Sequence, residues 1–277
     1  MKKKINIVII QKKFTSTIEN NISDLDLLIT NKKIAKNSIL VLHELTLTKY
    51  FCISKDNNNF KYSISNDSVI FKQLKDICIK NKVFLLISYF ERFKGKYYNS
   101  SSLLSPKGTV IGKYRKKNLP DEQCYHEKFY FNSSSQPFKI FDIGLCKIGI
   151  MLCWDQWFSN SYSKLNSLGA DIIFCPTSIG YTYINNKKIS LSTEKEMWLK
   201  IIQANSLMNN IPVVVANRIG KETSGNKTIS FWGSSFITNS EGQIIAKAGK
   251  STSLVSGSIS LLDRKKSIKK WGFSSVD

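Results

Sequence analysis

Short runs of consecutive apolar residues recur along this chain, separated by stretches in which apolar residues return every third or fourth position. The runs 5–10, Ile39–Leu42, 83–90, 109–114, 148–152, 172–174 and 212–216 are bounded by polar or turn residues and read as buried strands. The stretches 25–37, 69–80 and 194–209 read as helices. In 69–80 the apolar positions Val69, Ile70, Leu74, Ile77 and Cys78 fall on one helix face. The pattern changes after residue 230. There 230–238, 243–248 and 253–261 read as a meander of strands with one exposed face, and Glu241-Gly242 as a turn. Strands alternating with helices, followed by hairpins, predict an α/β fold with mixed sheets and helices outside.

At 277 residues the chain is long enough for one large core, and a single domain over 1–277 is expected. No apolar run reaches the ~18 residues of a membrane-spanning helix. The run after Lys2-Lys3-Lys4 is too short for a signal peptide and ends at Gln11-Lys12-Lys13, so it reads as a first strand of a cytoplasmic protein. The cysteines Cys52, Cys78, Cys124, Cys146, Cys153 and Cys175 show no Cys-x-x-Cys spacing, and no metal or disulfide framework is expected. Each by itself reads as a small buried hydrophobe.

The net charge of +21 raises nucleic-acid or membrane binding as a reading. The distribution argues against it. The arginines are only Arg92, Arg115, Arg218 and Arg264, whereas phosphate and base readout lean on arginine. The lysines are scattered, and only Lys265-Lys266 with Lys269-Lys270 forms a cluster. Neither nucleic acid nor membrane is expected as a partner.

Reactive residues recur just beyond the apolar runs, where α/β sheets bind ligands. Glu44 follows 39–42, Lys116 follows 109–114, Cys153 follows 148–152, and Thr177-Ser178 follow 172–174. A thiolate, a carboxylate to take its proton and an ammonium to favour the thiolate and a developing oxyanion suffice for acyl transfer. A turn after Cys153 would aim the Trp154 N–H at that oxyanion. Taken singly, Glu44 reads equally as a surface carboxylate, Lys116 as one lysine among many, and Cys153 as core.

Three blocks, in order and spacing, resemble the nitrilase superfamily of carbon–nitrogen hydrolases: Leu42-His43-Glu44-Leu45, Tyr114-Arg115-Lys116 and Gly149-Ile150-Met151-Leu152-Cys153-Trp154-Asp155. Tyr125-His126-Glu127-Lys128-Phe129-Tyr130-Phe131 resembles the block carrying a second glutamate. Cys153-Trp154-Asp155-Gln156-Trp157-Phe158, Pro176-Thr177-Ser178-Ile179-Gly180, Ala216-Asn217-Arg218-Ile219-Gly220-Lys221-Glu222 and Phe231-Trp232-Gly233-Ser234-Ser235 look like its N-carbamoylputrescine amidase branch. The resemblance implies a four-layer αββα sandwich, no cofactor and a homo-oligomer of dimers or larger. It also implies hydrolysis of N-carbamoylputrescine to putrescine, carbon dioxide and ammonia through a Cys-linked intermediate. Glu44 would be the general base, Lys116 the oxyanion stabiliser and proton donor and Cys153 the nucleophile, with Glu127, Trp154, Asp155 and Thr177 as substrate-binding or auxiliary residues.

The chain departs from the branch in places. Asn118 stands where the branch usually has histidine, and Asp121-Glu122-Gln123-Cys124-Tyr125 replaces a glycine-containing loop. Tyr181-Thr182-Tyr183 stands where an acidic stretch is usual. A substrate ammonium needs an acidic partner, for which Glu194 and Glu196 are candidates. They are also the carboxylates a helix start favours. The alternatives are another small-molecule amide or carbamoyl substrate, such as an N-carbamoyl β-amino acid or an ω-amide, and a non-enzymatic nucleic-acid-binding protein.

Overall fold

The computed structural model describes residues 4–14 and 17–271. In chain order the strands are Lys4–Gln11 (β1), Ile39–Leu42 (β2), Phe84–Phe93 (β3), Lys96–Leu104 (β4), Val110–Arg115 (β5), Asp121–Glu122 (β6), Tyr125–His126 (β7), Ile140–Asp142 (β8) and Lys147–Ile150 (β9). They continue with Ile172–Thr177 (β10), Gly180–Ile184 (β11), Lys187–Lys188 (β12), Val213–Asn217 (β13), Ile219–Ser224 (β14), Lys227–Trp232 (β15), Phe236–Thr238 (β16), Ile244–Lys247 (β17) and Ser253–Ser260 (β18). The α-helices are Ile18–Asn31 (α1), Val69–Asn81 (α2), Glu127–Tyr130 (α3), Ser159–Ser167 (α4), Glu194–Met208 (α5) and Leu261–Trp271 (α6).

Two six-stranded sheets, β18-β1-β2-β3-β4-β5 and β17-β16-β13-β10-β9-β8, form the centre. Each has a parallel core: β1, β2 and β3 in one, β9, β10 and β13 in the other. Side-chain alternation explains why these strands are apolar throughout. In β1, Ile5, Ile7 and Ile9 pack with Ile148, Ile150, Phe174 and Val214 of the other sheet. Val8 and Ile10, on the opposite face, pack with Leu25 and Ile29 of α1 and Leu74 and Ile77 of α2. The second sheet likewise turns Ile173, Val213 and Val215 toward Leu165 of α4 and Trp198 and Ile202 of α5. The layers are therefore helix, sheet, sheet, helix, as the resemblance implies.

The helices are delimited by local chemistry. Ser68 Oγ accepts from Phe71 N at the start of α2, and Lys82 closes it in the left-handed region at φ 53°. The helix expected over 25–37 instead spans Ile18–Asn31, because Lys33 and Asn37 take positive φ and turn the chain into β2. The strand expected over 230–238 is two strands in different sheets, β15 and β16. Gly233 and Ser234 both take φ 56° between them, and a Cβ at Gly233 would come within 2.8 Å of Ile219 Cγ2.

Strand β4 and helices α4 and α6 lack the expected apolar signal. In β4, Asn99, Ser100, Ser101 and Ser102 are buried because their side chains are hydrogen-bonded inside the sheet. Ser100 Oγ donates to Glu91 Oε2 at 2.6 Å.

Candidate active site

The carboxyl ends of β2, β10 and β13 converge, and hydrogen bonds stitch the two sheets there. Glu44 N donates to Thr177 O at 3.4 Å, and Arg218 N donates to the same carbonyl at 3.2 Å. Leu45 turns the chain at φ 49°, which points Glu44 back into the interior. Thr46 Oγ1 donates to His43 O, and Ser178 Oγ donates to Glu44 O at 3.0 Å. Burial, then the charge of Arg218, keep His43 well below its usual pKa, so it is a neutral donor to Glu44 O at 2.9 Å.

Arg218, 1% exposed, clamps this turn from the other sheet. Its Nη2 donates to Glu44 O and Leu45 O at 3.1 and 2.8 Å, and its Nη1 to Thr48 O at 3.1 Å. Its Nε donates to Ser178 Oγ at 3.1 Å. Glu222 balances the charge at 2.8 Å and accepts from Tyr50 N at 2.6 Å.

Lys116 leaves the end of β5, anchored by its backbone N–H on Asn99 O at 2.8 Å, and sends its side chain into the same space. Its Nζ donates to Glu44 Oε1 at 2.8 Å and to the Glu127 oxygens at 2.8 and 2.7 Å. All three side chains are fully buried. Burial alone would pull the Lys116 pKa down, but Glu127 and then Glu44 outweigh it, and the value lies well above that of a free lysine. Burial first, offset by Lys116, raises Glu127 to about 7. Asn99 Nδ2 donates to Glu44 Oε1 at 2.8 Å, and Tyr50 OH to Glu127 Oε1 at 2.9 Å. Of these carboxylate oxygens, Glu44 Oε2 accepts no hydrogen bond from the described residues.

Cys153 follows β9 at the start of a short 3₁₀ helix, Cys153–Trp157. It takes φ 39°, a conformation a non-glycine residue holds only where its surroundings enforce it. Asp155 supplies much of that enforcement. Its Oδ2 accepts from Leu152 N at 3.0 Å and Tyr114 OH at 2.7 Å, and its Oδ1 accepts from Asn118 N and Nδ2 at 3.0 and 2.8 Å. Asn118 therefore ties the cysteine turn to the end of β5. Burial, then the negative charge of Glu44, hold the Cys153 thiol well above its usual pKa, against the pull of Lys116. The sulfur therefore rests as a thiol, and the thiolate that attack requires forms as a carboxylate takes its proton. With two carboxylates against one ammonium, a third buried negative charge is unfavourable until the proton moves.

Cys153 lies on the wall of a cavity of about 510 Å³, with Trp154, Trp157 and Ile179 on its apolar side. Its charged lining residues are Glu122 and Glu194.

The sequence-predicted residues thus separate. Glu44, Lys116 and Glu127 share hydrogen bonds, and Cys153 lies within reach of their charges. Trp154 lines the cavity. Asp155 and Thr177 do not. Asp155 sits behind the cysteine turn, and the Thr177 hydroxyl bonds inward to Cys175 O at 3.1 Å. Glu196 projects to solvent and pairs with Lys200 at 2.7 Å, because the helix turn that brings Glu194 to the cavity carries Glu196 off it.

Sequence reasoning missed Asn99, Tyr50 and the role of Arg218. A rare arginine just past a buried strand in a lysine-rich chain was a usable signal for Arg218. Asn99, in a polar run, offered none.

The chain matches the Carbon-nitrogen hydrolase family over residues 6–267. It is 32% identical over 262 residues to an N-carbamoylputrescine amidase of Arabidopsis thaliana, covering 92% of this chain and 86% of that protein. It is 33% identical over 250 residues to a citrullinase of Francisella tularensis, covering 89% and 85%. Among solved structures, the carbon-nitrogen hydrolase of Helicobacter pylori G27 superposes with a TM-score of 0.91 at 27% identity, covering 99% of this chain and 95% of that one.

Proposed function

The chain belongs to the carbon–nitrogen hydrolase family and is an enzyme acting on amides, and from that premise we propose that it hydrolyses the ureido group of N-carbamoylputrescine. The observation that carries the substrate is the cavity beside Cys153. Its walls are largely apolar, and its charged lining residues, Glu122 and Glu194, are both carboxylates. Such a cavity fits an aliphatic chain ending in an ammonium and opposes one ending in a carboxylate. This favours N-carbamoylputrescine over N-carbamoyl amino acids. Citrulline, named for one relative, carries both charges and is the second reading.

The geometry supports a two-step reaction. Glu44, through its free Oε2, takes the proton of Cys153 as sulfur attacks the ureido carbon. Lys116 and the backbone N–H of Trp154 face the developing oxyanion. The tetrahedral adduct collapses, Glu44 returns the proton to the leaving nitrogen, and ammonia departs. An N-alkylcarbamoyl thioester remains on Cys153. Glu44 then takes a proton from water, whose oxygen attacks the thioester carbon, and the sulfur leaves reprotonated. The released carbamate decomposes to putrescine and carbon dioxide. Lys116 stays charged throughout, held by Glu127.

The test is ammonia release from N-carbamoylputrescine, citrulline, N-carbamoyl-β-alanine and a simple nitrile, with Cys153→Ala and Cys153→Ser beside the wild type. N-carbamoylputrescine should be turned over with the highest kcat/KM, and both variants should be inactive yet folded. Faster turnover of the β-alanine derivative, or activity in either variant, overturns the reading.

A further inference from the structure

The cavity at Cys153 holds a carboxylate that the reaction chemistry does not use. Glu194 is the first residue of α5, and its Oε1 accepts from Leu191 N at 2.9 Å, which fixes the side chain. Among the described residues no lysine or arginine forms an ion pair with it. It lines the same cavity as Cys153, so its charge is presented to whatever enters there. The helix dipole does not explain its position. Glu196 enjoys the same dipole yet stands in solvent, paired with Lys200.

Tyr125 connects Glu194 to the nucleophile. Its hydroxyl donates to Gly180 O at 3.3 Å and receives from Gly180 N at 3.1 Å, which fixes the ring between the two ends of the cavity. Tyr125, Cys153 and Glu194 all line the one cavity. The Tyr181 hydroxyl also lies in the field of Glu194. A carboxylate and a thiol on the wall of one cavity, with Tyr125 and apolar side chains lining the rest, form a receptor for a short chain with a cationic tip.

We propose that Glu194 is the specificity-determining residue that accepts the substrate's distal ammonium, so that the enzyme selects cationic ω-ureido amines over neutral and anionic ureas. The proposal rests on the ureido-hydrolase reading above and adds the group that reads the far end. Glu122, on the exposed β6–β7 hairpin, is the competing carboxylate.

Steady-state ammonia release from N-carbamoylputrescine and from N-butylurea, its neutral analogue, tests this in wild type, Glu194→Gln and Glu122→Gln. Glu194→Gln should raise KM for N-carbamoylputrescine by about tenfold or more and leave N-butylurea turnover within about twofold, as loss of one charge-assisted contact requires. An unchanged KM in Glu194→Gln, or the loss appearing in Glu122→Gln instead, overturns the assignment. A wild type that releases no ammonia from either urea defeats the ureido reading by itself. Calorimetry with putrescine then decides the amine site: binding weakened by Glu194→Gln supports it, and equal or absent binding overturns it.

Discussion

Replacing Glu127 by glutamine removes one negative charge from a buried cluster of two carboxylates and an ammonium while keeping the shape of the side chain. In the native enzyme Lys116 Nζ donates to both Glu127 oxygens, at 2.8 and 2.7 Å, and to Glu44 at 2.8 Å. The amide leaves one carbonyl acceptor for Lys116, which keeps one hydrogen bond assisted only by its own charge and loses the other. A hydrogen bond to a charged group contributes about 1.5–3 kcal/mol, part of which relaxation around the remaining bond returns. The net loss in holding Lys116 is therefore about 1–2 kcal/mol, or roughly a 5–30-fold fall in kcat/KM at pH 8.

The pH profile distinguishes this from a general loss of structure. Glu127 titrates at about 7, and its protonated form holds Lys116 less firmly, so native activity should fall as pH drops through 7. In Glu127→Gln that limb should vanish. Stability runs the other way. The folded pKa is raised above the usual carboxylate value, so this contribution is present at low pH and is lost as pH rises through 7. Ammonia release from pH 5.5 to 9, with thermal unfolding in the same buffers, measures both. A variant that keeps the acid limb, or stays within twofold of wild type at pH 8, refutes the argument.

Further outcomes follow from other contacts. Asp155→Asn places its one NH2 against a pair of donors in either orientation, Leu152 N with Tyr114 OH or Asn118 N with Nδ2, and should cost about 2–4 kcal/mol of stability together with most of kcat, read by thermal unfolding and turnover. Asn118→Ala removes one of those ties and should lower Tm by only a few degrees, with KM largely retained. Arg218→Met strands buried Glu222 and should destabilise by about 3–5 kcal/mol, and adding Glu222→Gln should recover part of that in a double-mutant cycle. Cys153→Ala should be inactive with Tm preserved. An unfolded Cys153→Ala would show that the residue is needed for packing.

The apolar runs made the strands legible because each central strand is buried on both faces and reads as a continuous hydrophobic block. Helix α2 was legible because its buried face repeats at helical spacing. Strand β4 was not, since its buried serines and Asn99 satisfy themselves with partners such as Glu91 on the neighbouring strand β3 and Glu44, far away in sequence. Helix α4, rich in serine and asparagine, buries only Ser161, Tyr162 and Leu165 and carries too little periodic signal.

Sequence order alone placed Glu44 and Cys153 just past buried parallel strands and Lys116 just past β5, which the structure shows to be a part-buried antiparallel edge strand, because a chain leaving a strand must turn there and the turn is where polar groups can stand. The sequence could not decide what state those groups occupy. The thiol form of Cys153, the elevated pKa values of Lys116 and Glu127 and the free oxygen of Glu44 arise from burial and from charges brought together by packing two sheets face to face. Nor could it separate Glu194 from Glu196, two helix-start carboxylates that the sequence treats alike. Only the direction in which α5 presents its first turn puts one in the cavity and the other in water.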